Sequence, residues 1–119
     1  MDPGAVRSLC LGFAEAVEVR PFGPETSVFK VCGKIFAIVA LDAEPPLRIS
    51  LKCAPDLVPA LREAYPAINP GYHLSKRHWN TVTLDGSLGD ELVHDLVEDS
   101  YDLVVSGLPK AARERLGPH

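Results

Sequence analysis

The densest run of chemically capable side chains is Tyr72, His73, Lys76, Arg77, His78, Trp79 and Asn80. Lysine and arginine hold phosphate by charge, and arginine can do so with two parallel hydrogen bonds. An indole adds a flat stacking surface and one N–H donor. Cations interleaved with an aromatic ring suit an anionic, partly planar partner, and nucleic acid is the first example. His73 and His78 stand five apart with no third ligand at a usable spacing, so no metal is expected there. Gly-x-Ser-x-Gly, His-Glu-x-x-His, Walker A and Gly-x-Gly-x-x-Gly patterns are all missing. The residues therefore point to a binding module, with no catalytic residue and no cofactor, rather than an enzyme.

These side chains need elements to position them. Pro3 to Val19 reads as a helix: Val6, Leu9, Cys10, Phe13 and Val17 recur at threes and fours, and Asp2-Pro3 is a helix-start signal. Pro21, Gly23 and Pro24 then mark a turn. Three strand-like runs follow, Val28–Cys32, Lys34–Leu41 and Leu47–Cys53, with a tight hairpin expected at Gly33. Pro55 to Ala64 reads as a short helix ended by Tyr65-Pro66, and Asn69-Pro70-Gly71 as a loop. His78–Leu84 is a further strand. The last helix spans about Leu88 to Ser106, with Ser87 and Asp90 as a capping pair and Gly107 as its stop. The tail from Ala112 is expected to fray.

Strands in succession with helices before and after them predict an α+β domain of two layers, an antiparallel sheet with helices on one face. Such a sheet can leave its other face to solvent. Placing apolar residues under the helices turns Lys30, Arg48, Lys52, Trp79, Thr81 and Thr83 outward, with Arg77 just before and Lys76 at the rim. A slip of one residue would instead turn Trp79 into the core. His78 and Asn80 fall on the core side with Val82 and read as anchors.

The chain has 119 residues, enough for one domain with its own core. Its net charge of −4 alone disfavours nucleic acid, but the charge is unevenly spread. Residues 28–84 hold seven Lys/Arg against four Asp/Glu, whereas residues 85–119 hold three against eight. A basic middle and acidic ends make a dipolar molecule. Glu91, Asp95, Glu98 and Asp102, with His94 beside them, lie along the last helix and read as a solvated face rather than an iron site. The three cysteines, Cys10, Cys32 and Cys53, form no Cys-x-x-Cys pair and read as reduced thiols. With no membrane-length apolar run and no signal-peptide layout, the expectation is a cytoplasmic protein with no membrane partner.

The run Pro70-Gly71-Tyr72-His73-Leu74-Ser75-Lys76-Arg77-His78-Trp79-Asn80-Thr81 resembles the YjbR/MmcQ family. Pro21-Phe22-Gly23, Phe29-Lys30-Val31, Leu51-Lys52-Cys53, Tyr65-Pro66 and Ser100-Tyr101-Asp102-Leu103-Val104 match in the same order. The resemblance implies a frataxin-like (CyaY-like) α+β fold, also described as a double wing, and DNA as partner. It also keeps open a small planar or anionic metabolite or antibiotic as ligand. Iron handling is a third reading, by fold analogy. The residues expected to carry binding are Lys30, Arg48, Lys52, Tyr72, His73, Lys76, Arg77, Trp79 and Thr81.

Overall fold

The computed structural model describes residues 1–41, 44–71 and 74–117. Helix α1 (Pro3–Leu11) begins as the sequence predicts: Asp2 accepts a hydrogen bond from the Ala5 N–H at 2.8 Å, satisfying a donor that the first turn leaves unpaired. The helix does not run on to Val19. Gly12 caps it, Glu15 takes a left-handed φ of 56°, and Ala16–Val19 become strand β1. Val17, counted into the helical stripe, is 51 % exposed on that strand.

Strands β2 (Thr26–Val31) and β3 (Lys34–Ala40) form the expected hairpin. Its two turn residues, Cys32 and Gly33, both have positive φ, at 49° and 80°, the backbone that a tight two-residue connection demands. Strand β4 (Leu47–Lys52) follows. The next helix, α2, starts at Val58 rather than Pro55 and ends at Ala64. Residues expected to be a loop, Ile68–Pro70, pair as a short strand β5 beside β6 (Trp79–Leu84). A proline is tolerated there because β5 is an edge, where one side of the ladder is unused. The long helix α3 (Asp90–Ser106) is capped by Gly89, not by Ser87. Ser87 hydrogen-bonds Asp85 instead, through its hydroxyl at 2.6 Å and its N–H at 2.9 Å. Lys110–Leu116, which overlap the stretch from Ala112 expected to fray, form helix α4.

All strands join one antiparallel sheet in the order β1-β2-β3-β4-β6-β5. Cross-strand register sorts the side chains into two faces. Ser27, Val39, Ile49, Val82 and Ile68 make one row beneath the helices, and Phe29, Ala37, Leu51 and Asn80 the next. Helix α3 lies over β2, β3 and β4 and buries Val93, Val97, Ser100, Tyr101 and Val104. Tyr101 stacks on Phe13 at 4.8 Å and meets Phe36 edge-on at 5.2 Å, and its hydroxyl donates to the Ala14 carbonyl at 2.6 Å. The buried Ser100 hydroxyl donates to the Phe36 carbonyl and accepts from the Lys52 N–H. That pair of bonds ties the helix to two strands beside a bulge at which Phe36 is the extra residue of β3. The α+β class and the one-sided placement of helices are as the sequence predicts. No helix among the described residues is long and apolar enough to cross a membrane.

Candidate functional site

The face away from the helices carries Val19, Val28, Ile38, Ser50, Thr81 and Asn69 as its central row. On one side stand Thr26, Ala40, Arg48 and Thr83; on the other, Val17, Lys30 and Ile35, then Lys52 opposite Trp79. Lys30, Arg48, Lys52, Trp79 and Thr81 thus share one face, as predicted, and the strand register leaves Trp79 out of the core. Ser50 and Thr81 hydroxyls meet at 3.1 Å between the cations of β4. No carboxylate belongs to any strand position on this face. The one acid of β1, Glu18, pairs with Phe29 and points to the helix side.

Lysine 52 and Arg48 stand four residues apart on β4, about 13 Å along the strand. Lys30 lies two strands from Lys52, about 10 Å across. Lys76 and Arg77 are exposed in the turn that leads into β6. Arg62 of α2 holds that turn in place. Its Nε donates to Asn80 Oδ1 at 2.9 Å, and its Nη2 donates to the carbonyls of Lys76 and Trp79. Asn80, 3 % exposed, is therefore the anchor that alternation predicts. The His78 carbonyl accepts from the Cys53 N–H at 2.8 Å and closes the end of β4 onto the turn. Tyr72 and His73, also expected to bind, lie outside the described residues.

Three features of this face were not read from the sequence. Apart from Thr26 and Lys30 it is apolar on the β1–β3 half, where Val28 is fully buried yet stands outside the core cluster beneath the helices. It holds a groove of about 790 Å³ with Arg48, Ser50, Thr81 and Thr83 among its lining residues. Phe22, 68 % exposed in the β1–β2 connection, and Leu74, from the β5–β6 connection, also line it. Only Phe22 left a signal: an aromatic between Pro21 and Gly23 is too bulky for a turn that has no use for it.

The remaining candidates do not assemble. Among the described residues no three His, Cys, Asp or Glu side chains converge to hold a metal ion. Cys10 is buried, which pushes its thiol up to about 12, and Cys53 is raised by burial and by the nearby Asp99.

A helix-backed antiparallel sheet whose other face carries cations, hydroxyls and a groove defines an α+β domain with one exposed sheet surface. The chain belongs to the YjbR family, whose model matches residues 11–103. It is 42 % identical over 98 residues to the uncharacterized protein YbdF of Escherichia coli O157:H7, covering 82 % of this chain and 80 % of that one. To the uncharacterized protein YjbR of Escherichia coli K12 it is 41 % identical over 87 residues, 73 % of each chain. The crystal structure of Deinococcus radiodurans DR2400, a DUF419 domain, superposes with a TM-score of 0.88 at 43 % identity, over 98 % of this chain and 88 % of that one. A Pseudomonas syringae crystal structure superposes at 0.75 and 30 % identity, over 87 % and 98 %.

Proposed function

We propose that this protein is a DNA-binding module, not an enzyme, and that the helix-free sheet face is its contact surface. The observation that carries this reading is charge segregation. Lys30, Arg48 and Lys52 occupy one face with no carboxylate among its strand residues, in a chain whose net charge is −4. Such a distribution attracts a polyanion locally although the whole molecule is acidic. Lys76 and Arg77 extend the cationic set along the rim, and Trp79 beside Lys52 offers a stacking surface.

About four phosphate contacts imply that affinity falls on the order of a hundredfold between about 50 and about 200 mM salt. The test follows Trp79 fluorescence and DNA anisotropy together at those two salt concentrations. Lys52→Glu and Arg77→Glu are expected to weaken binding to every sequence alike. Unchanged binding in both variants at low salt would remove the proposal.

One observation favours a second reading. The groove between Phe22 and Leu74 has the size and mixed lining of a small-molecule site, with Arg48 available for an anionic group. A planar anionic metabolite would bind there with shallow salt dependence. It would raise the melting temperature by mass action, and a panel of such compounds that produces no shift speaks against this reading.

A further inference from the structure

A second cavity lies on the other side of the sheet, where α2 and α3 diverge. It encloses about 370 Å³, roughly two and a half times the ~150 Å³ cavity that accepts one benzene ring. Leu57, just before α2, and Leu61 within it line the cavity with Leu96 and Leu103 of α3, and Cys53 at the end of β4 adds a thiol. Leu57 is 52 % exposed and offers its side chain at the cleft. The charged residues of the lining are Lys52, Asp99 and Asp102. Asp99 and Asp102 stand on the α3 side. The Lys52 side chain points to the opposite face of the sheet, since its residue pairs with Trp79. The nearest guanidinium, Arg62, is engaged with Asn80 and two backbone carbonyls.

The local field agrees with that charge pattern. Asp99 is raised by partial burial and then by Asp102, Asp95 and Glu98. Cys53 is raised by burial, with Asp99 and Asp56 adding and Arg62 only partly opposing. Two groups on different elements thus both sense excess negative charge at the mouth of an apolar cleft. A neutral hydrocarbon would use the leucines and ignore the carboxylates, and an anion would be repelled. A cation on an apolar body uses both.

We propose that the α2–α3 cleft is a binding site for a small apolar amine. The hydrophobic body sits between the leucines, and the ammonium group is directed to Asp99. The cleft opens on the opposite side of the sheet from the proposed DNA-binding face and does not depend on that reading.

The probe is 1-naphthylmethylamine, compared with its neutral alcohol 1-naphthalenemethanol and with 1-naphthoic acid. Binding is read from amide shifts in ¹⁵N-labelled full-length protein. The amine is expected to give saturable shifts at Cys53, Ala54, Leu57 and Leu103. The alcohol should bind about fivefold more weakly, the upper range for a solvent-accessible ion pair, and the acid more weakly still. Asp99→Asn should bring the amine down to the level of the alcohol. Ala54→Phe, which fills the cleft from its rim, should abolish binding while leaving amide dispersion intact. Equal affinity for amine and alcohol, shifts confined to the β4–β6 face, amine binding that survives Ala54→Phe, or no saturable shift at millimolar probe would each overturn the site.

Discussion

Arginine 62 has more structural consequence than any cation of the sheet face, although nothing in the sequence relates position 62 to positions 76–80. One guanidinium satisfies the buried Asn80 side chain and two carbonyls of the turn that presents Lys76, Arg77 and Trp79. Arg62→Ala is expected to cost about 2–3 kcal/mol, because it leaves a buried acceptor without its charged donor. Arg62→Lys should recover little, since an ammonium cannot reproduce the fork. Urea midpoints of the two variants test this. Gly71 acts on the same turn by having no side chain: a Cβ there would come within 3.0 Å of the Trp79 Cβ and 3.2 Å of the Leu74 Cβ. Gly71→Ala should therefore shift the emission of the single tryptophan and cost about 1–2 kcal/mol; unchanged emission would show that Trp79 is free to move. At this scale, alternation in β4 and β6 was enough to place Arg48, Lys52, Trp79 and Asn80. It could not place Phe22, Leu74 or Arg62, whose roles depend on where loops and α2 return to the sheet.

The two strands that went unread, β1 and β5, share a cause. Each is short, lies at an edge and borrows residues that fit another pattern: Val17 continues the helical spacing of α1, and Pro70 reads as a turn. Strand β3 was recognised as a strand, but its faces could not be assigned, because Ile35, Phe36, Ala37, Ile38 and Val39 are apolar without alternation and a bulge turns both Phe36 and Ala37 inward. Edge strand β1 is fastened through Glu18, which accepts from Arg7 Nε of α1 at 2.8 Å and from the Ser27 hydroxyl of β2 at 2.6 Å. Those two hydrogen bonds hold its carboxyl below the usual 4.5, outweighing its partial burial. A depressed folded value means that the ionised form stabilises the fold. The contribution is complete above the unfolded value near 4.5 and is lost as pH falls through the lower folded one. Glu18→Gln is thus expected to cost about 1–2 kcal/mol at pH 7 and to match the parent protein at a pH low enough to protonate Glu18 in both states. Chemical denaturation at the two pH values checks it; an equal deficit at both would assign the loss to packing.

Across the whole molecule, the sheet separates a cationic face from an acidic helix layer. Glu91, Asp95 and Glu98 of α3 belong to the far layer of a molecule only 26 Å across its shortest axis. Whether they oppose a polyanion at the sheet face is a matter of screening length. At about 0.01 M salt the Debye length is ~30 Å, so their repulsion reaches through the molecule; at about 0.15 M it is ~8 Å and does not. Replacing the three by Gln, Asn and Gln changes the net charge from −4 to −1 without touching the proposed contact face. The variant should therefore bind DNA several-fold more tightly near 0.01 M salt and equally near 0.15 M, with fluorescence of Trp79 as the readout in both. The signature differs from that of Lys52→Glu, which on the proposed reading removes a phosphate contact and lowers affinity wherever binding is measurable. A gain that persists at 0.15 M would mean that the acids of α3 lie near the bound DNA, and the contact surface would have to include the helix layer.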